Sequence, residues 1–244
     1  MTSPIKVLSW DSRFFGRRIA RVTTSHLTSA SAKAAVNAGV RKRVKCLYFL
    51  ASANDLSSAA CAQEYGFRLV DVRITFARDV ALSEFPLTGA GDRSTTYRSA
   101  RPGDIRSLQQ ITRTVFPYSR FAADPGFPRG AHQKLYSTWL AKSVRGGFDD
   151  WVGVAERRDR LAGFVSCRRT GRAAGTIGLI GVARAFQGQG VGRGLLNHAF
   201  HWFLTHHIRH ISVATQGCAV GAQRFYQDGG FRTSRVDLWF HKWF

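Results

Sequence analysis

Hydrophobic positions in the second half of the chain recur first with helix period, then with strand period, and finally with the two periods in alternation. Two helices precede three successive strands, which are followed by strands that alternate with helices. The predicted helices are 105–115, 129–142, one from Val191 and 220–228, and the predicted strands are 151–155, 161–167, 176–182, 211–215 and 236–244. This order predicts an α/β (α+β) protein with a mixed, mainly antiparallel sheet flanked by helices.

The first half shows a similar mixture of periods. Strands are predicted at 18–23, 46–51 and 68–76, and helices at 29–38 and from the Asn54-Asp55 cap to Tyr65. Residues 82–95 (LSEFPLTGAGDRST) have the composition of a linker. We therefore predict two domains, 1–92 and 93–244.

An internal repeat links the two halves. The stretch AQEYGFRLVDVRITF (62–76) parallels YQDGGFRTSRVDLWF (226–240), and each combines a helix end, Gly-Phe-Arg and a strand. The first half is thus interpreted as a degenerate copy of the back of the second half. Because it has no glycine-rich stretch, it is expected to bind no cofactor.

Composition narrows the class of protein. Apolar residues make up 44% of the chain, which predicts a folded protein. No apolar run is long enough for a membrane span, and four scattered cysteines predict reduced thiols in a cytoplasmic protein without a metal site. Basic residues outnumber acidic ones by 36 to 15, giving a net charge of +21. Such a field attracts polyanions, whether nucleic acid, coenzyme or nucleotide-linked sugar.

The stretch VARAFQGQGVGRGLL (182–196) carries four alternating glycines. Packing does not explain them, because glycine offers no side chain to pack. The phosphate-loop pattern GxxxxGK[ST] and the dinucleotide pattern GxGxxG both fail here. The stretch instead predicts a strand that runs directly into a helix, with 187–192 as the first helical turn. Its exposed amide groups would bind an anion at the positive end of the helix dipole.

Two motifs in this order resemble a known family. Gln187-x-x-Gly190-x-Gly192 is similar to the pyrophosphate loop of the GCN5-related N-acetyltransferases (GNAT), and AQRFYQDGGF (222–231) is similar to their later A-x-x-x-Y-x-x-x-G-F segment. WDSRFFGRR, SRFAADPGFP, LYSTWL and LWFHKWF further resemble enzymes of the dTDP-fucosamine acetyltransferase type, which acetylate a nucleotide-linked 4-amino-4,6-dideoxyhexose.

The resemblance implies transfer of acetyl from acetyl-CoA to a small-molecule amine. It places the pyrophosphate on the backbone of Gln187, Gly188, Gln189, Gly190, Val191 and Gly192, and the pantetheine arm on Ile180, Gly181 and Val182. Tyr226 matches the family's general acid, and Arg120, Phe121 and Tyr136 are expected to contact the substrate. Two departures are Gln187, where many relatives carry Arg, and Ala219, where many carry Asn.

Several points stay open at this stage. The general base is not identified, with Glu156, Asp124 and His132 as candidates. No Glu or Cys accompanies the histidines His198, His201, His206, His207 and His210, so no metal is expected. The acceptor could instead be a protein N-terminus, an antibiotic or a polyamine. A non-catalytic, basic nucleic-acid-binding protein is the alternative from another class, and a homodimer is left open.

Overall fold

The computed structural model describes residues 3–81 and 94–244. In chain order its strands are β1 (Ile5–Val7), β2 (Ile19–Val22), β3 (Cys46–Ser52), β4 (Arg68–Asp79), β5 (Thr95–Ser99), β6 (Trp151–Arg157), β7 (Arg160–Arg169), β8 (Ala174–Val182), β9 (His210–Gln216) and β10 (Arg232–Trp243). Its α-helices are α1 (Ser9–Phe15), α2 (Ser29–Arg41), α3 (Leu56–Glu64), α4 (Ile105–Val115), α5 (Arg120–Ala123), α6 (Ala131–Val144), α7 (Val191–Thr205) and α8 (Val220–Asp228). The mixed, mainly antiparallel sheet flanked by helices is confirmed.

The element predictions hold where the hydrophobic pattern is long. Every predicted helix and strand is present within a few residues of its expected ends. The structure adds β1, α1, β5 and the short helix α5, which lies between the two helices predicted at 105–115 and 129–142. These elements have three to seven residues and so contain too few repeats of either period to be recognised from spacing.

One ten-stranded sheet runs through both halves, in the order β1-β2-β3-β10-β4-β9-β8-β7-β6-β5. Among the described strands, only β2 with β3 and β8 with β9 pair in parallel. Strand β10 of the second half lies between β3 and β4 of the first, and β4 pairs with β9 of the second. Each half therefore completes its sheet with a strand from the other. The predicted boundary at 92/93 lies outside the described residues, and the two-domain division stays a prediction.

The internal repeat forms the centre of this exchange. Arg73 of β4 pairs with Asp237 of β10, and these two residues occupy the same position in the two copies of the repeat. Each pair on one side of them has a counterpart on the other side that joins the same two repeat positions with the strands interchanged. The repeats are thus arranged about an approximate two-fold axis between Arg73 and Asp237. Gly66 and Gly230 also match, with φ of 76° and 79°, where side chains are disfavoured, and each follows the helix preceding its strand.

In the second half of the chain, helices cover both faces of the sheet. Val165 belongs to the core under α7 and α8, whereas its neighbour Phe164 belongs to the core under α4. Adjacent strand residues point to opposite faces, so these two cores lie on opposite sides of the sheet. A third, aromatic core joins the halves; it includes Trp10, Phe14, Phe15, Tyr48, Phe121, Phe127, Trp239 and Trp243. This core carries the 117–128 segment on the strands of the first half.

Candidate active site

Strands β8 and β9 separate partway along their length. They pair only from Ala174 with His210 to Ile177 with Val213, and the residues beyond are not bonded to each other. Strand β8 continues to pair with β7 on its other side, while β9 pairs with β4. A wedge therefore opens in the sheet, and one backbone edge of β8 faces into it. An unpaired strand edge can bind an extended ligand through its N–H and C=O groups.

Gly178 marks the point where the wedge opens. The register between β7 and β8 shifts beside it, which is a bulge that bends β8. A β-carbon at Gly178 would lie 2.8 Å from the carboxylate of Asp149, so the close approach requires glycine. Asp149 is buried and accepts hydrogen bonds from Trp139 Nε1 at 2.7 Å and from Ser143 Oγ at 3.0 Å. These contacts hold the Trp139 ring at the wall of the wedge.

A cavity of about 370 Å³ passes through the wedge. Ile177, Leu179 and Thr215 contribute from the strands, and Tyr226 contributes from α8. Its lining also includes Asp71, Arg73, Tyr118, Arg120, Phe121, Tyr136, Trp139, Arg168, Ile180, Ala219 and Trp239. The cavity combines groups from both halves of the chain, so neither half forms it alone.

All three residues predicted to contact the substrate line this cavity. Arg120 lies at the start of α5, and its guanidinium carbon is 3.9 Å from the centre of the Trp239 ring. Its Nε is buried and has no hydrogen-bond partner within the described chain. Phe121 is buried against Phe127, and Tyr136 packs on Phe116 with ring centres 4.7 Å apart. A stacked guanidinium whose Nε donor is unused is suited to binding an anion.

Tyr226 also lines the cavity, on the α8 side. Its ring packs against Phe76, Phe225 and Phe231, with ring centres 5.4 to 5.9 Å away. Burial raises the pKa of the Tyr226 hydroxyl well above its usual range. The hydroxyl therefore stays protonated at neutral pH, which a proton donor requires.

The segment 187–192, which we call the glycine loop, differs in detail from its predicted form. A 3-10 turn at Arg184–Phe186 follows β8, and α7 begins at Val191, so the prediction that 187–192 form the first helical turn is wrong. Gly188 and Gly190 have φ of 72° and 78°, and open space surrounds the position of a β-carbon at each. The first helical hydrogen bond runs from Gly194 N–H to Gly190 C=O at 3.1 Å. The preceding amides of α7 are free to bind an anion.

The other two glycines of the stretch are explained by packing, contrary to the sequence interpretation. A β-carbon on Gly192 would lie 3.1 Å from the Phe225 ring. One on Gly194 would collide with the Tyr97 hydroxyl. Only Gly188 and Gly190 are therefore required by the backbone conformation of the loop, and Gly192 and Gly194 allow α7 to approach its neighbours.

Polar side chains lie near both departures, Gln187 and Ala219. Arg157 Nη1 donates to Gln189 Oε1 at 2.9 Å, which brings a cation to the loop where Gln187 has none. Ala219 lines the cavity at the start of α8, and the Gln223 side chain donates to Gly217 C=O at 2.7 Å. Gln187 itself donates to Val182 C=O at 3.0 Å and closes the loop onto β8.

None of the three residues considered as general base lines the cavity. Glu156 accepts from Arg98 Nε at 2.9 Å, and Asp124 is buried beside His241. His132 lies on α6 outside the lining. The carboxylate that does line the cavity is Asp71 on β4, which the sequence analysis missed because β4 belongs to the first half. Burial raises the pKa of Asp71 to about 6, opposed by the charge of Arg120.

A second buried cluster lies beneath the 117–128 segment. Asp124 accepts hydrogen bonds from His241 Nδ1 at 2.6 Å, Trp243 Nε1 at 2.9 Å and Gly126 N–H at 2.9 Å. Burial would raise the pKa of Asp124, but these hydrogen bonds outweigh it and hold the pKa below its usual range. Cys46 lies close by, and the three candidate ligand atoms of Cys46, Asp124 and His241 are all within 4.8 Å of one another. The three residues lie far apart in the sequence, so the sequence alone did not predict that they form a cluster.

The existing hydrogen bonds give this cluster a structural role. Burial raises the pKa of the Cys46 thiol, which keeps it protonated. Asp124 is engaged with three donors and ties the segment that carries Arg120 to β10. Elsewhere in the described chain, no other group of three potential metal ligands is found, and the histidines of α7 do not form one.

We expect acid to destabilise the protein through His241. Burial lowers its pKa to about 4, whereas an unfolded histidine titrates near ~6.5. Below pH ~6.5 the unfolded chain binds a proton at this histidine that the folded chain does not bind. The contribution of His241 to the free energy of unfolding is therefore fully present above pH ~6.5 and is lost as the pH falls towards 4. The expected loss is about 2 to 3 kcal/mol.

Urea unfolding at neutral pH and at mildly acidic pH measures this loss. His241→Asn keeps an N–H donor towards Asp124 but does not titrate, so its free energy of unfolding should fall less on acidification than that of the wild type. Asp71 contributes equally in both proteins and cancels from the difference. An equal fall in the two proteins would contradict the assignment to His241.

None of the helices in the described ranges combines the length and hydrophobicity that a membrane crossing needs.

The wedge, the glycine loop and Tyr226 lie within one region that matches a known family. Residues 112–231 match the model of the Acetyltransferase (GNAT) family. This region of the chain is a GNAT acetyltransferase. The family uses acetyl-CoA, so the chain is an acyl-CoA-dependent N-acetyltransferase. The alternative of a non-catalytic nucleic-acid-binding protein is therefore wrong.

Solved GNAT structures share the fold over nearly the whole chain. A GCN5-related N-acetyltransferase from Sphaerobacter thermophilus is 17% identical, with a TM-score of 0.67, over 98% of this chain and 76% of its own. A tandem GNAT protein from the clavulanic acid biosynthesis pathway is 15% identical, with a TM-score of 0.61, over 92% and 75%. A GCN5-related glucosamine N-acetyltransferase region of a fungal multi-domain β-N-acetylglucosaminidase is 13% identical, with a TM-score of 0.60, over 97% and 30%. No curated protein matches the chain.

Proposed function

We propose that this GNAT acetyltransferase acetylates the 4-amino group of a nucleotide-linked amino-dideoxy sugar. The observation that carries the proposal is the charge of the acceptor cavity. Arg73, Arg120 and Arg168 all line it, and Asp71 is the sole carboxylate among its described lining residues. Guanidinium groups pair with phosphate through two parallel hydrogen bonds, so this cavity suits an acceptor with a diphosphate.

Aromatic walls support a sugar and base in the same cavity. Trp239, Tyr136 and Trp139 line it, and Trp139 is held in place by its hydrogen bond to Asp149. Flat rings bind the apolar faces of a sugar or a nucleobase. A structural neighbour described as a glucosamine N-acetyltransferase region indicates that a sugar amine is compatible with this fold.

The residues on the other side of the wedge fit acetyl-CoA. Acetyl-CoA supplies an acetyl group bound as a thioester. The exposed amides of Gly188, Gly190 and the first turn of α7 would hold its pyrophosphate, with Arg157 adding a cation beside the loop. The free edge of β8 at Ile180 to Val182 would bind the pantetheine arm, and a backbone N–H near Val182 would stabilise the developing oxyanion.

Tyr226 would act as general acid in this proposal. The departing thiolate needs a proton, and the buried phenol at the wedge carries one throughout the neutral pH range. Tyr226 and the three arginines line the same cavity, which is compatible with proton donation and acceptor binding in one site.

The division into 1–92 and 93–244 remains part of the proposal. The exchanged strands β4 and β10 and the repeat around Arg73 and Asp237 support an origin of both halves from one unit. In this view the first half supplies part of the acceptor cavity, including Asp71 and Arg73, and no coenzyme site.

A panel of amines tests the acceptor. Purified enzyme with acetyl-CoA would be supplied with dTDP-4-amino-4,6-dideoxygalactose, the free amino sugar, spermidine, an aminoglycoside and a peptide, and thiol release would be followed with mass spectrometry of the products. We expect kcat/KM for the sugar nucleotide to exceed that for the free sugar by ~10- to 100-fold, because charge-assisted hydrogen bonds to the phosphates are lost from the latter. Faster acetylation of a polyamine or peptide would refute the proposed acceptor.

Arg120→Lys should weaken acceptor binding. Lysine keeps the charge but cannot stack flat on Trp239 while offering two parallel donors. We expect KM for the sugar nucleotide to rise about tenfold or more while the Kd for acetyl-CoA is unchanged. Arg17 also lies over a tryptophan, Trp243, but does not line the cavity, so Arg17→Lys is the matched control. Equal KM effects of the two substitutions would contradict a direct contact.

A further inference from the structure

Acetyl transfer requires a proton acceptor, and the cavity contains one suitable group. An amine of ordinary pKa is protonated at neutral pH and must lose a proton before its nitrogen can attack. Among the described residues that line the cavity there is no histidine, glutamate or cysteine. The other titratable lining residues are arginines and tyrosines, side-chain types that hold their protons at neutral pH. Burial raises the pKa of both Tyr136 and Tyr226 further. Asp71 is the carboxylate among these described lining residues, and a carboxylate can accept a proton.

The sheet register places Asp71 on the acceptor side of the wedge. Asp71 lies directly opposite Trp239 of β10, and Arg73 follows two residues later on the same face of β4. Trp239 and Arg73 both line the cavity, and Trp239 carries the Arg120 guanidinium on its ring. Val72, which points to the other face, packs against Gly217 at the end of β9. The carboxylate therefore lies beside the anion-binding groups, at the place where β4 meets the wedge.

We propose that Asp71, a residue of the first half, is the general base that removes the proton from the acceptor amine. This inference rests on acetyl transfer at this cavity and not on the identity of the acceptor. It also explains why the first half of the chain, which has no glycine loop, forms part of the active site.

The proton balance of the step is complete with groups that line the cavity. The ammonium gives one proton to the Asp71 carboxylate, and the nitrogen lone pair then forms the C–N bond to the thioester carbon. The C–S bond breaks, and the sulfur takes the Tyr226 hydroxyl proton. The remaining excess proton on the new amide nitrogen restores Tyr226 through solvent, and Asp71 releases its proton to water. One amine proton thus ends on the thiol and one in solution.

The electrostatics agree with this role. Burial raises the pKa of Asp71 to about 6, and the Arg120 charge and a backbone hydrogen bond keep it from rising further. At neutral pH the carboxylate is therefore mostly ionised and still basic enough to accept a proton. The charged and titratable groups that line the cavity with it are Arg73 on its own strand, Tyr118 before α5, Arg120 on α5, Tyr136 on α6, Arg168 on β7 and Tyr226 on α8.

The test compares wild type and Asp71→Asn on two small amines at saturating acetyl-CoA. Ethylamine is protonated at neutral pH, whereas hydroxylamine is already neutral and needs no base before attack. We expect Asp71→Asn to slow acetylation of ethylamine by ~100-fold or more and to leave acetylation of hydroxylamine nearly unchanged. Asp71→Glu should restore part of the ethylamine rate. The ratio of wild-type to Asp71→Asn rates should rise as the pH increases through about 6.

A second measurement needs no acceptor. In protein labelled with ¹³C at aspartate carboxyls, the signal that disappears in Asp71→Asn should titrate near 6. An equal loss of both amine rates, no loss of either, or a carboxyl that titrates at the ordinary ~3.9 would overturn the proposal. If the sugar nucleotide is not a substrate but the two small amines behave as expected, the proposed acceptor fails and the role of Asp71 stands. If the sugar nucleotide is acetylated equally well by Asp71→Asn, only the role of Asp71 fails.

Discussion

Tyr226→Phe is expected to lower kcat by ~100- to 1,000-fold while leaving the Kd for acetyl-CoA within about a factor of two. The substitution removes only the hydroxyl, and the ring keeps its contacts with Phe76, Phe225 and Phe231. Without a proton donor the thiolate must leave as an anion in a buried site, which raises the barrier to breaking the C–S bond. Steady-state kinetics and calorimetric titration with acetyl-CoA measure the two quantities.

Tyr118→Phe is the matched control for this experiment. Tyr118 also lines the cavity but is 50% exposed, so its hydroxyl is accessible to water. We expect its removal to change kcat little. If Tyr226→Phe turned over within about twofold of the wild type, another group or water would have to protonate the sulfur, and the assignment of Tyr226 would be wrong.

Gly190→Val is expected to weaken acetyl-CoA binding by ~10- to 100-fold. Gly190 precedes α7 with φ of 78°, a conformation that costs a β-branched residue ~1 to 2 kcal/mol. Valine relieves this strain by rotating the backbone, and the rotation turns the amides of the loop and of the first turn away from the pyrophosphate. Calorimetric titration gives the Kd, and thermal unfolding shows whether the fold persists.

Gly16→Val separates the strain from the binding effect. Gly16 ends α1 with φ of 64°, and like Gly190 it has open space where a β-carbon would lie. It lies far from the loop in sequence and outside the cavity lining. We expect a similar loss of thermal stability with unchanged affinity for acetyl-CoA. Unchanged affinity in Gly190→Val as well would contradict the placement of the pyrophosphate on this loop.

Local chemistry accounts for what could be predicted from the chain. The helix α8 has the predicted ends at Val220 and Asp228, because hydrophobic spacing and the following Gly229-Gly230 act within a few residues. Gly188 and Gly190 could also be recognised from the sequence, because each has a positive φ, which glycine adopts without strain from a side chain. Gly192 and Gly194 were misread because their partners, Phe225 and Tyr97, come from elements distant in sequence.

The types of element, the glycine loop before α7 and the helix that carries Tyr226 could be predicted from the chain, because periodicity, capping and backbone conformation depend on neighbouring residues. Three features became visible only in the folded molecule: the exchange of β4 and β10 between the halves, the presence of Asp71 and Arg73 in the cavity with Arg120, and the hydrogen bond between His241 and Asp124. These features depend on pairings between residues far apart in the chain. The energy of such pairings is set by burial and strand register, and neither leaves a pattern within a short stretch of sequence.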